Sequence, residues 1–171
     1  MNESIWIAVA IIAFIALIIF MVARAAKKQA VAAKQQLQQA LAQKASTRNL
    51  SIGQTEFFRN RVVGLSSDGQ HIIYILTDSD GIHTDLVELN DISHCEVASE
   101  GSKIVTTAKN GKQKIEEHVN AISLQLYNGK RLVSSLLFYS EIEDGGLELL
   151  DNRKKAERWK SLLERREQAA A

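Results

Sequence analysis

The spacing of hydrophobic and polar residues changes three times along the chain. Residues 5–22 form one uninterrupted apolar run, IWIAVAIIAFIALIIFMV. Residues 24–49 are rich in Ala, Gln, Lys and Leu, which are good helix formers. From residue 50 onward short apolar stretches alternate with turn pairs, which indicates strands, and residues 153–168 return to helical spacing. The pattern predicts a long N-terminal helix, a β domain and a C-terminal helix.

The apolar run is long enough to cross a bilayer. At about 1.5 Å per residue it spans about 27 Å, and Ala23 extends it toward the ~30 Å hydrocarbon thickness. The alternative is a cleavable signal peptide with a small-x-small site at residues 23–25. However, the run is longer than a typical signal core, and Glu3 stands where a cation is usual. We predict a transmembrane helix over residues 5–23, after a short outer N-terminus of residues 1–4.

Cations directly after the apolar run predict its orientation. The juxtamembrane basic residues are Arg24, Lys27, Lys28 and Lys34. Because Lys and Arg beside a span stay on the cytoplasmic side, the N-terminus is expected outside and the remaining chain inside. This predicts a single-pass protein of the plasma (inner) membrane. The span has no ionisable residue that would mark an ion path, so a channel or transporter is not expected.

Residues 24–49 are predicted to continue the helix as a basic stalk of about 35 Å. A heptad-like seam suggests a coiled coil and homo-oligomerisation through the stalk. Its members are Ala26, Ala30, Ala33, Leu37 and Ala40. The alternatives are a solvated spacer, or a stalk whose cations lie against anionic lipid at about 1 kcal/mol each.

Residues 50–171 are predicted to form one domain with seven or eight antiparallel strands and a C-terminal helix. Asp-Gly at 68–69 and 80–81 and Asn-Gly at 110–111 and 128–129 supply the positive φ of tight hairpins. The predicted strands are 57–65, 71–77, 83–90, 91–98, 103–108, 112–119, 121–127 and 131–139. Asp151 or Asn152 is expected to cap the helix over residues 153–168, whose apolar stripe is centred on Trp159. The stripe either packs on the sheet or forms an exposed docking face.

This order of elements resembles a pleckstrin-homology-like (PH-like) domain. The resemblance covers residues 50–168 and implies an α+β, mainly antiparallel β barrel or roll capped by a C-terminal helix. Two segments, LVELNDISHCEV and LELLDNRKKAERWKSLL, look like those of small bacterial single-pass membrane proteins that carry such a domain. The resemblance implies a fold only, because this fold hosts lipid, peptide and scaffold roles alike.

Charge is distributed unevenly along the chain. Residues 1–49 hold six Lys and Arg against one acid, and the remaining residues hold 15 against 19. A mildly acidic domain lacks the basic footprint that nucleic-acid binding requires. A single cysteine, Cys95, cannot form an internal disulfide, which agrees with a reducing compartment.

Residues that could support catalysis or metal binding are not arranged for it. His94 and Cys95 are neighbours in a predicted strand, so their side chains point to opposite faces, and Cys95 is expected in the core. His71, His83 and His118 lack the spacing of zinc ligands. The DSDG sequence at residues 78–81 fails the EF-hand pattern and is interpreted as a turn. We therefore expect no catalytic residue, no cofactor and no metal site.

Two charged clusters remain near the C-terminal helix. The acidic loop before the helix carries Glu141, Glu143, Asp144 and Glu148, which we expect to pair at the surface with the basic helix that follows. Arg153, Lys154 and Lys155 form the densest basic cluster, interpreted either as a contact for a partner or anionic lipid, or as a solvated face.

The sequence favours a non-enzymatic, membrane-tethered interaction or scaffold module that presents its cytoplasmic domain to a protein partner. The alternative is a lipid-surface sensor that binds anionic lipid through Lys and Arg patches. An enzyme is the third and least favoured hypothesis.

Overall fold

The computed structural model of the chain describes residues 2–107 and 113–170, with side chains for residues 14–25, 27–102 and 118–166. Helix α1 (Asn2–Thr47) precedes all the strands, and helices α2 (Glu141–Asp144) and α3 (Leu149–Ala170) follow them. Within the described ranges the strands are β1 (Ile52–Phe57), β2 (Arg61–Ser66), β3 (His71–Asp78), β4 (Gly81–Glu88), β5 (His94–Thr107), β6 (Gln113–Asn128) and β7 (Arg131–Ser140). This confirms the predicted order of a helical N-terminal region, a mainly antiparallel β domain and a C-terminal helix.

The strands form two antiparallel meanders. The first sheet has the order β1-β2-β3-β4 and the second has the order β5-β6-β7. Gly69, Gly81 and Gly129 have positive φ in the turns β2–β3, β3–β4 and β6–β7, which confirms three predicted turn pairs. The predicted turn at residues 110–111 lies outside the described residues.

Several predicted strand boundaries are wrong. The expected strand over residues 57–65 is two strands, joined where the Phe58 amide donates to the Arg61 carbonyl at 2.8 Å. In the second sheet, four expected strands are two long ones, β5 and β6, whose register shifts between Glu100 and Gly101. A β-bulge here takes the place of the expected breaks between strands, because an extra residue bends the pair without ending it.

The main core lies between the two sheets and α3. Trp159 is fully buried there, with Ala156 and Leu163 from the same helix face. This confirms the packed alternative for the apolar stripe. Helix α3 begins at Leu149, so the predicted caps Asp151 and Asn152 both lie inside the helix.

A second apolar cluster joins α1 to the outer face of the first sheet. Leu37, Leu41 and Ala45 of α1 pack on the sheet against a row of buried aliphatic residues, Val62, Ile73 and Ile75. Two members of the predicted coiled-coil seam, Leu37 and Ala40, therefore pack against the chain's own sheet and not against another helix. Ala30 is exposed, and the side chain of Ala26 lies outside the described residues.

Within the described part of the chain, no helix combines the length and apolarity needed to cross a membrane. The predicted span lies partly outside this description, because side chains are not described for residues 5–13. What is described there is the backbone, which is helical without interruption from Asn2 to Thr47.

Candidate functional site

A buried arginine organises one end of the β domain. Arg61 begins β2, and its side chain is 0% exposed. Its guanidinium pairs with the Asp144 carboxylate and with Glu143 Oε2 at 2.9 Å, and it donates to the Phe138 carbonyl at 3.2 Å. Asp144 also accepts from the Ser140 amide at 2.8 Å. Because a buried charge is tolerated only when it is paired, this cluster fixes α2 against the end of β2.

The β1–β2 turn holds α2 from a second side. Asn60 Nδ2 donates to Glu143 Oε2 at 2.9 Å, and Arg59 Nη1 donates to the Glu143 carbonyl at 2.7 Å. On the other flank, His118 Nε2 lies 2.7 Å from Glu141 Oε2. The acidic loop was expected to pair with the basic helix after it, and for these three acids that prediction is wrong. Their partners come from β2, β6 and the β1–β2 turn.

The segment between β7 and the first turn of α3 pairs three of its carboxylates with other parts of the domain and exposes three of its apolar side chains to water. Ile142 is 98% exposed, Leu147 is 101% exposed and Leu150 is 71% exposed. Three large aliphatic residues so exposed within ten positions are unusual for a surface in water. These three residues are called the apolar tip below.

Helix α1 leaves the domain at this same end. Lys34 Nζ lies 5.1 Å from the centre of the Phe57 ring, at the end of β1, whereas Leu41 lies beside Gly64, in the middle of β2. The helix thus runs past the end of the sheet in its N-terminal direction. A cleft between α1 and the β1–β2 turn is lined by Gln29 and Arg59, among others. Because Arg59 also binds α2, the part of the apolar tip that α2 carries, Ile142, lies on the side from which α1 projects.

Of the three residues in the predicted basic cluster, two are exposed to solvent and one is partly buried. Arg153 and Lys154 are exposed near the start of α3, where Arg153 donates to Ser99 Oγ at 3.2 Å. Lys155 is half-buried; its ammonium lies 2.8 Å from Asp151 Oδ2 and 5.3 Å from the centre of the Phe58 ring. The hydrogen bond from Lys155 holds the pKa of the Asp151 carboxyl below its usual value. Lys155 therefore contacts other residues of the domain, whereas Arg153 and Lys154, the other two predicted contact residues, face water.

The predicted juxtamembrane cations also divide. Arg24, Lys27 and Lys28 are exposed on the part of α1 that projects from the domain. Lys34 is the exception, because its ammonium packs over the Phe57 ring. Three cations thus lie between the apolar run and the point where α1 meets the sheet.

His94 and Cys95 lie on opposite faces of β5, as predicted. The His94 ring is exposed and stacks on Tyr127 with 4.8 Å between ring centres, whereas Cys95 is buried in the main core. The other histidines each lie beside one carboxylate: His71 near Asp68, His83 near Asp78 and His118 near Glu141. Among the residues that the structure describes, no three potential ligands form a metal site.

A buried tyrosine connects the two sheets beside Arg61. Tyr74 donates its phenolic hydrogen to the Leu137 carbonyl at 3.2 Å. Burial raises the pKa of Tyr74 to about 12, against the opposing effect of the Arg61 charge. This phenol is a neutral structural donor and not an acid–base group at neutral pH.

Sequence reasoning missed Arg61 and the apolar tip. The available signal for Arg61 was a cation directly before the apolar pair Val62 and Val63, which starts a strand with a charge. For the tip it was the pattern of Ile142 and Leu147 set singly among acids, which has no helical or strand period. The chain matches no family model, and it matches no curated protein and no solved structure.

Proposed function

We propose that this chain is a membrane-tethered, non-enzymatic interaction module. The apolar half of α1 anchors it in the plasma membrane, and the β domain is presented to a protein partner on the cytoplasmic side. The observation that carries the proposal is the continuity of α1, which runs from Asn2 to Thr47 and packs its last turns on the first sheet. Because Leu37 and Leu41 are buried, the domain is fixed to the anchor helix and does not hang from a linker.

The orientation follows from the exposed cations of α1. Arg24, Lys27 and Lys28 stand directly after the apolar run, and such residues are retained in the cytoplasm during insertion. The short N-terminus is therefore outside. Any self-association through the stalk would use the part before Leu37, because the face carrying Leu37 is covered by the sheet.

A PH-like fold for the domain is supported by its layout. Sheets of four and three antiparallel strands are followed by a helix that buries Trp159 between them. The non-enzymatic assignment is supported by the separation of His94 from Cys95, and by the pairing of the other histidines with local carboxylates.

Binding to anionic lipid is the second candidate function. It is favoured by the exposure of Arg153 and Lys154 near the start of α3. Each such cation near an anionic surface contributes about 1 kcal/mol, and the contribution falls with salt. Lys155 is not part of this candidate surface, because its ammonium pairs with Asp151.

The two candidates differ in what remains when the apolar run is removed. A chain beginning at Ala23 keeps the described contacts between α1 and the sheet. It should leave the membrane fraction while retaining a cooperative unfolding transition followed by Trp159 fluorescence. Photo-crosslinking groups placed at exposed positions of the full chain should then give one discrete protein adduct from one face. If the shortened chain stays on anionic vesicles and Arg153→Gln with Lys154→Gln releases it, the lipid-binding function is the correct one. Lys155→Gln serves as the internal comparison.

A further inference from the structure

We propose that the apolar tip, formed by Ile142, Leu147 and Leu150, inserts into the interfacial layer of the membrane that holds α1. The inference rests on the proposed anchor and adds a second contact with the same bilayer. Two contacts would fix the orientation of the domain, and hence which of its faces a partner can reach.

The chemistry of the tip suits the boundary between headgroups and acyl chains. Its three aliphatic side chains are exposed to water. Three of the nearby carboxylates are engaged in ion pairs, whereas Glu148 is exposed. Glu141 is paired with His118, and Glu143 and Asp144 are paired with Arg61. Pairing with cations reduces the repulsion that these three acids would otherwise exert on an anionic surface. Isolated aliphatic residues at a membrane boundary gain free energy by leaving water, without needing a specific headgroup.

The geometry brings the tip within reach of the bilayer. Gln29 and Arg59 line the same cleft, and Arg59 binds the α2 backbone next to Ile142. Along the helix, Gln29 is seven residues beyond Val22, the end of the apolar run, which is about 10 Å. The headgroup layer occupies about 5–7 Å on each side of the hydrocarbon. The end of the domain therefore lies close to the headgroups, and an average helix tilt of about 20° would bring one side of it closer still.

Tethering makes a weak contact effective. Three aliphatic side chains alone give only marginal, reversible membrane binding. Here α1 holds them beside the surface, so insertion is an intramolecular step with a high effective concentration. Insertion through the apolar tip also differs from the anionic-lipid function, because it predicts little dependence on salt or on lipid charge.

A reporter inside the segment tests the insertion. Glu148 is exposed between the tip residues, and Glu148→Cys in a Cys95→Ala chain gives one labelling site there. The full chain is labelled with a nitrobenzoxadiazole dye and reconstituted into phosphatidylcholine vesicles containing doxyl-labelled lipid. We expect blue-shifted emission that doxyl lipid quenches, at both low and high salt. Replacing Ile142, Leu147 and Leu150 by Asn should abolish the shift and the quenching with the reporter unchanged.

Controls come from the opposite end of β7. Leu132 and Val133 are also exposed aliphatic residues, but they lie about eight residues from α2 along the strand. Replacing both by Asn should leave the Glu148→Cys signal unchanged, and a dye at Lys130→Cys should show no quenching. A dye at Ala25→Cys reports on the anchor itself and should be quenched in every variant.

Each result separates the two proposals. Quenching at residue 25 without quenching at residue 148 would overturn the insertion while leaving the anchor intact. Loss of quenching at both positions would overturn the anchor and the insertion together. Quenching at residue 148 that requires phosphatidylglycerol and disappears at high salt would assign the contact to cations. A residue-148 crosslink to a protein in native membranes, with no quenching in pure lipid, would assign the tip to a protein partner.

Discussion

The pair formed by Arg61 and Asp144 offers a quantitative test of what fixes α2. Both side chains are 0% exposed, and the guanidinium also contacts Glu143 and the Phe138 carbonyl. Replacing Arg61 by Met leaves the Asp144 carboxylate buried without its cation. Removing one partner of a buried ion pair costs about 3–5 kcal/mol, whereas a domain of this size has about 5–15 kcal/mol of stability in total. Arg61→Met should therefore remove a large part of the free energy of unfolding.

The assay is a double-mutant cycle in urea. The full chain is solubilised in detergent and titrated with urea. Its unfolding is followed by Trp159 fluorescence in a Trp6→Phe background. Arg61→Met and Asp144→Leu should each be strongly destabilising. The double variant should lose less unfolding free energy than the two single variants lose in sum, because both buried charges are gone. We expect a coupling energy of about 2–3 kcal/mol. In the single variants, limited proteolysis should cut near α2 earlier than in the original chain.

A surface pair of the same chemistry provides the control. Arg158 pairs with Glu56, but the Arg158 side chain is 56% exposed. Arg158→Met should cost no more than about 1 kcal/mol. If Arg61→Met cost as little as Arg158→Met, or if the cycle were additive, the argument that buried charges fix α2 would be wrong.

Three further predictions concern the two cores and pH. Trp159→Ala should cost about 3–5 kcal/mol of unfolding free energy, whereas Trp6→Ala should leave the melting of the domain unchanged; equal effects would refute the assignment of Trp159 to the core. Leu41→Ala should cost about 2–5 kcal/mol in urea unfolding, while the exposed neighbour Ala42→Ser should be nearly neutral. Tyr74 has its pKa raised to about 12, against about 10 when unfolded, so its contribution to stability is complete below pH 10 and is lost as pH rises toward 12. Between pH 9 and 12, the unfolding free energy should fall less steeply with pH in Tyr74→Phe than in the original chain. Identical slopes in the two proteins would contradict the burial of the phenol.

The sequence predicted the order of elements well, because periodicity reports which faces are buried. The continuous apolar stretch over residues 71–77 lies in β3, an interior strand of the first sheet. The structure adds the physical reason: Ile72 and Tyr74 face the main core, while Ile73 and Ile75 face α1. Sequence could not show that α1 supplies this second cover, because Leu37 and Ala40 also fit a coiled-coil seam. A domain taken to begin at residue 50 therefore omits part of its own packing.

The candidate site was less predictable, since it depends on contacts between distant residues. Arg61 and Asp144 are 83 positions apart, and neither belongs to a local motif. The β1–β2 turn has neither Gly nor Pro, so the change of chain direction after Phe57 carried no signal. Lys155 could not be distinguished from Arg153 and Lys154 before the positions of Asp151 and Phe58 were known.

The most direct test of the tethered module is the topology of the full chain in bacterial membranes. Right-side-out and inside-out vesicles are treated with protease after an alkaline carbonate wash, and the β domain is followed by an antibody to the C-terminus. The chain should resist the wash, and its β domain should be protected in right-side-out vesicles and digested in inside-out vesicles. Release by carbonate would contradict the anchor, and digestion from the outer side would contradict the cytoplasmic placement of the domain.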